Sequence, residues 1–101
     1  MTAADFRKMA LAMKGVSEGA HHGHPDFRVK GKIMASLHSS GTRGMVLLTP
    51  EQQADLIRDH PRVFTPENGA WGLKGATRMD LAAVDDETLG LALTLAKGNV
   101  K

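Results

Sequence analysis

The sequence contains no cysteine and no tyrosine, and only one tryptophan, three phenylalanines and four prolines in 101 residues. Without cysteine there is no disulfide framework, no thiolate metal site and no cysteine nucleophile, a pattern that suits a reducing compartment. No stretch reaches the roughly 20 apolar residues that a membrane-spanning helix needs. The opening MTAADFRK places charges where a secretory leader needs an apolar centre, so a soluble, cytoplasmic protein is expected. No charge of one sign dominates: 13 Lys and Arg against 11 Asp and Glu leave a formal +2, and only local clustering would turn that into a field useful for binding. Nucleophile-elbow, SxxK, HExxH and phosphate-loop spacings are all missing. The sequence therefore offers no enzyme signature and no catalytic residue, and no cofactor is expected.

What is present reads as an ordinary globular chain, 42% hydrophobic and 24% charged, long enough for one core and too short for two. A single domain over residues 1–101 is expected. Phe6, Met9, Ala10 and Met13 recur at helical spacing, with Thr2 as cap and Gly15 as stop. The methionines read as core filler rather than as a soft-metal surface. From Gly19 to Leu48 the period becomes two, with glycines as punctuation. Phe27 and Val29 share one face and Arg28 and Lys30 the other; Ile33, Ala35 and Leu37 point one way, Met34, Ser36 and His38 the other. An odd-numbered loop, Lys30-Gly31-Lys32, is expected to oppose Val29 to Ile33 and Phe27 to Ala35, in preference to a two-residue turn that would oppose Val29 to Lys32.

Residues 49–61 carry a helix start at Thr49, with Pro50 in the first turn and Gln52 completing a capping box. Pro61 ends this surface helix. PENGAWG reads as a loop, and residues 71–82 as strand material broken at Gly75. Asp85 caps a last helix whose buried stripe is Leu89, Ala92, Leu93 and Ala96, with Val84 stapled against Leu89. The pattern predicts an α+β fold in the order α-β-β-β-β-α-β-β-α: an antiparallel sheet with helices on one face and the other face partly open.

Three chemistries are worth weighing. On a continuous strand His22 and His24 would share one face and His21 the other, which gives two ligands at most, so the histidines read as solvent-facing and no metal is expected. Asp85 and Asp86 look like paired carboxylates, but their place as helix cap and first-turn residue, with Glu87 beside them, explains them without catalysis. The cations Arg28, Lys30, Lys32, Lys74 and Arg78 could gather on the open side of the sheet, with Arg43 adding to them, and follow phosphate oxygens, while Trp71 or Phe64 stacks on bases. The plainer reading of the cations is protection of sheet edges, and of Trp71 a partly buried anchor.

The segments HPDFRVKGKIMASL, LTPEQQADLI, FTPENGAWGLKGATRMDL and VDDETLGLAL, in that order, resemble the MmcQ/YjbR-like family over roughly residues 3–97. HPxFRVxGKI and WGxxG are the most specific parts. The resemblance implies a bacterial α+β domain similar to the frataxin (CyaY)-like fold, and a family often described as DNA-binding. Some members carry a Tyr/His-Met-Asn-Lys-x-x-Trp pattern where this chain has Gly75-Ala76-Thr77-Arg78-Met79. The expectation is a small binding module for DNA, acting through Arg28, Lys30, Lys32, Lys74 and Arg78. The alternative is a protein-interaction or homodimerisation module that uses Met34, Met45 and Trp71.

Overall fold

The computed structural model describes all 101 residues. Its elements are α1 (Ala3–Ala12), β1 (Val16–His21), β2 (His24–Val29), β3 (Lys32–Leu37), β4 (Arg43–Leu47), α2 (Pro50–Asp59), β5 (Phe64–Pro66), α3 (Gly69–Leu73), β6 (Ala76–Asp80) and α4 (Asp86–Gly98). The six strands form one antiparallel sheet in the order β1-β2-β3-β4-β6-β5. The fold is α+β as the hydrophobic pattern predicts, with one more helix, α3, inserted before β6.

Local chemistry sets the helix starts. Thr2 and Thr49 each accept from the backbone N–H three residues on, and Asp5 and Gln52 return the bond to the cap backbone. Each box satisfies two of the donors that a helix start leaves unpaired. Asp85 accepts from Thr88 N–H at 2.8 Å, which holds its carboxyl below the usual range. Residues 71–73 are helical rather than extended: α3 is one short turn wedged between β5 and β6, with too few residues to leave a periodic trace.

The first two hairpins turn on the same device. His22-Gly23 joins His21 to its directly opposed partner His24, and Lys30-Gly31 joins Val29 to Lys32. All four turn residues have positive φ, 50° and 77° in the first and 54° and 77° in the second, the backbone that a two-residue hairpin with native twist requires. The odd loop expected at Lys30 is therefore replaced by a two-residue turn. A bulge at Met34, facing the Phe27–Arg28 step, then restores Phe27 opposite Ala35. In consequence Ile33 sits opposite Arg28, away from Ala35 and Leu37, and Met34 is buried.

One sheet face carries the core. Phe27, Ala35, Val46, Met79 and Phe64 meet Phe6 and Ala10 of α1, Leu56 of α2 and Leu89, Ala92, Leu93 and Ala96 of α4 in a single buried cluster. Phe6 and Phe27 pack ring to ring at 5.7 Å. Gln53, also buried, donates to the Gly72 and Ala76 carbonyls and to the Thr77 hydroxyl, so α2 is tied to the start of β6 by polar as well as apolar bonds. The three longer helices thus lie on one side. The opposite face lacks such a cover.

An open-face cleft as candidate functional site

Strand alternation decides what the uncovered face presents. One row across the sheet runs Gly19, Asp26, Ser36, Met45, Arg78, Thr65, each residue opposed to the next. Above and below it lie His21 and His24, Arg43, Leu47 and Ile33. Asp26, Ser36 and Met45 of that row, these flanking residues, and Glu67 and Trp71 from the β5–α3 segment line a cleft of about 360 Å³. Its floor is apolar at Met45, Leu47 and Ile33, and its rim is polar.

Two of the five cations expected on the open side, Arg28 and Arg78, lie on this face, each bound to a carboxylate. Arg28 grips Asp26 with two bonds, Nε to Oδ1 at 2.7 Å and Nη2 to Oδ2 at 3.1 Å. This bond to Arg28, more than any other influence, holds the fully buried Asp26 carboxyl below its usual range. Gly19 makes the room, because a Cβ there would lie 2.9 Å from Asp26 Oδ1. Arg78 donates through Nε and Nη2 to Glu67 at 3.1 and 3.0 Å. Each carboxylate facing the cleft is therefore matched by its own arginine. Arg43, half-buried on the same wall, makes no ion pair and no side-chain hydrogen bond.

The histidines do not occupy one continuous strand. Because His22-Gly23 is a turn, His21 and His24 are an opposed pair and both line the cleft, while His22 stands at the tip. His24 lies 5.4 Å from His38, ring centre to ring centre. Ser40 N–H donates to His38 Nδ1 at 3.1 Å, so the proton of the neutral ring sits on Nε2. Partial burial first, then the positive charge of Arg43, lowers the His38 pKa. His21 is exposed, as expected, and His24 is half-buried; the continuous-strand reading misses only their pairing, although His-Gly in a chain of alternating strands is itself a turn signal that pairs them. No group of three His, Asp or Glu is arranged to hold a metal ion.

The other three expected cations lie elsewhere. Lys30 lies in the β2–β3 turn and Lys32 directly after it, and Lys74 immediately precedes Gly75 and β6. Since Leu47 is opposite Ala76, and Asn99 Nδ2 donates to the Leu47 carbonyl, all three sit at one end of the sheet along with the end of α4. Lys14, Lys97 and Lys101 fall at that same end, where Lys32 Nζ donates to the Lys101 carbonyl. None of these lysines is in an ion pair. Glu51, in the first turn of α2, is the acidic residue nearby.

An antiparallel sheet with helices on one side and a ligand-sized cleft on the other defines a small α+β domain built for presenting one face. This chain belongs to the YjbR family, whose model matches residues 11–95. It is also similar in fold to the crystal structure of the Deinococcus radiodurans protein DR2400, which carries the domain called DUF419. The TM-score is 0.76 at 20% identity, over 94% of this chain and 75% of that one. No functionally curated protein is detectably similar. No helix is long and apolar enough to cross a membrane.

Proposed function

We propose that the chain is a binding module whose ligand occupies the open-face cleft. The observation that carries this reading is Arg43. A half-buried guanidinium normally finds a carboxylate or carbonyl partner; here the two carboxylates that line the cleft are already committed to Arg28 and Arg78, and Asp80, opposite Arg43 on β6, lies outside the cleft and forms no ion pair with it. A volume of about 360 Å³ falls within the roughly 300–1,000 Å³ range of small-molecule sites. The apolar floor and the few convergent polar groups also match such sites. With a single tryptophan, the ¹⁵N spectrum has one indole N–H signal, and it reports on the cleft wall. A screen of small anions and neutral fragments is expected to move that signal saturably. If every fragment leaves it unmoved, the reading is lost.

A second reading, DNA binding, is favoured by the lysine-rich end of the sheet rather than by the full set Arg28, Lys30, Lys32, Lys74 and Arg78. Lysines outside any ion pair at one end can track phosphate oxygens, and such binding weakens steeply with salt. Replacing both Lys30 and Lys32 by Gln should reduce the log–log salt slope by about two. Absence of duplex binding at low ionic strength ends this reading.

A further inference from the structure

We infer that the cleft selects a flat organic anion: an aromatic or heteroaromatic acid whose acidic group meets Arg43 and whose ring lies between Trp71 and the Met45–Leu47 floor. The inference rests on the cleft reading and adds the ligand's chemical class.

Charge argues first. Within the cleft the carboxylates of Asp26 and Glu67 are neutralised by bonds of 2.7 to 3.1 Å from Arg28 and Arg78. That leaves Arg43 as the one full charge lining the cleft without an ion pair, since Asp80, opposite it on β6, lies outside the cleft and is not bonded to it; His38 beside it offers an Nε2–H donor. A cationic ligand would face Arg43 with no free carboxylate to hold it, and a neutral one would leave the guanidinium unsatisfied. Shape argues second. The sheet contributes Met45, Leu47 and Ile33 to the cleft lining, and Trp71, 54% exposed, lines the same cleft. An indole, a thioether and aliphatic side chains around one cleft favour a planar guest, because stacking and sulfur–aromatic contacts both reward a ring. Length argues third. Arg43 and Leu47 are four residues apart on β4, about 13 Å at strand rise, so a molecule with an acid at one end and one or two fused rings behind it spans the site.

The test titrates the ¹⁵N-labelled protein with three probes: 2-naphthoate, its neutral counterpart 2-naphthalenemethanol, and the bulky, non-planar adamantane-1-carboxylate. 2-Naphthoate is expected to move the Trp71 indole signal and the Arg43 and His38 amides saturably, and to bind at least roughly tenfold tighter than either comparison, the size of one charge-assisted hydrogen bond. Arg43→Gln should bring naphthoate down to the level of the alcohol. Should that variant not fold, Trp71→Leu, at an exposed position, is measured by calorimetry instead and is expected to weaken naphthoate several-fold. Equal binding of acid and alcohol overturns the anionic part of the inference, and equal binding of naphthoate and adamantane-1-carboxylate overturns the planar part. In either case the cleft remains a site. If no probe shifts any cleft signal, the cleft reading falls with it.

Discussion

The two faces of the sheet are built from the same strands and solve burial in opposite ways. On the helix side, Phe27, Ala35, Val46 and Met79 disappear under α1, α2 and α4 by apolar packing. On the open side, Asp26 and Met45 are as inaccessible as core residues, yet none of the three longer helices covers them. Asp26 is sheltered by the arginine it binds, and Met45 by its neighbours in the sheet and the reach of Glu67 and Trp71 over the cleft. Burial on one face comes from the hydrophobic effect, and on the other from satisfied polar pairs around a small apolar floor. Only the second arrangement leaves space for a guest.

The sharpest way to break this comparison is to cut a large side chain from each face. Phe27→Ala removes a fully buried ring from under three helices and should cost about 3–5 kcal/mol, read as a lower urea midpoint at unchanged m-value. Met45→Ala should cost only about 1–2 kcal/mol, below the usual range for a buried methionine, because the space it vacates opens into a cleft that water can enter. Equal losses would mean that the open face is packed as a second core.

Next in size is the Asp26–Arg28 pair. Asp26→Asn keeps the shape and removes the charge, leaving Arg28 half-exposed but unmatched; a cost of about 1–2 kcal/mol is expected, tempered by the water that Arg28 can still reach. The sign of the pH effect follows from the lowered Asp26 pKa. A carboxyl that holds its proton less tightly when folded than when unfolded, near 3.9, stabilises the protein fully above that value and loses the contribution as pH falls through the folded pKa. The native protein should therefore lose stability below about pH 4 more steeply than the Asp26→Asn variant does. Parallel acid limbs would show that the pair is not what shelters this face.

The contrast between faces also explains what can be read in advance. The covered face follows period rules, and the stripes Phe6–Ala10 and Leu89–Ala92–Leu93–Ala96, the caps Thr2, Thr49 and Asp85, and the alternation of Phe27 and Val29 are all visible in the sequence. The start of β1 is not, because Ser17, Glu18, Gly19 and Ala20 form an edge strand with almost no apolar alternation. The open face depends on register, and register here depends on two X-Gly turns and a bulge. A shift of one residue sends every side chain to the other surface, so periodicity alone puts His21, His24 and Ile33 on the wrong side or on none. Pairing of Arg28 with Asp26 and of Arg78 with Glu67 is likewise tertiary. The sequence offers five candidate cations but does not show which of them the fold has already committed to its own carboxylates.

A smaller effect separates structure from binding. Trp71→Leu lies on the exposed wall of the cleft and should change stability by no more than about 0.5 kcal/mol while weakening naphthoate several-fold. A loss of stability comparable to that of Met45→Ala would make the indole part of the packing instead.

The smallest expected effect is the most specific to the cleft. His38 has a lowered pKa because it is partly desolvated and faces Arg43, His24 and Arg78, with Glu67 acting in the opposite direction. In the unfolded chain it titrates near 6.5, so between the folded value and 6.5 the unfolded state binds more protons and stability rises with pH. The contribution is fully present above about pH 6.5 and is lost as pH falls through the folded pKa. His38→Gln should therefore flatten the fall in urea midpoint that the native protein shows as pH drops from about 6.5 through the folded pKa. The ligand gives the same group a second readout. An acid seated at Arg43 offsets the charge that depresses His38, so naphthoate should raise the imidazole pKa followed by NMR, and its affinity should increase as pH falls toward that value. A His38 titration that ignores naphthoate while the Trp71 signal responds would place the acid away from Arg43 and divide the cleft into two unconnected halves.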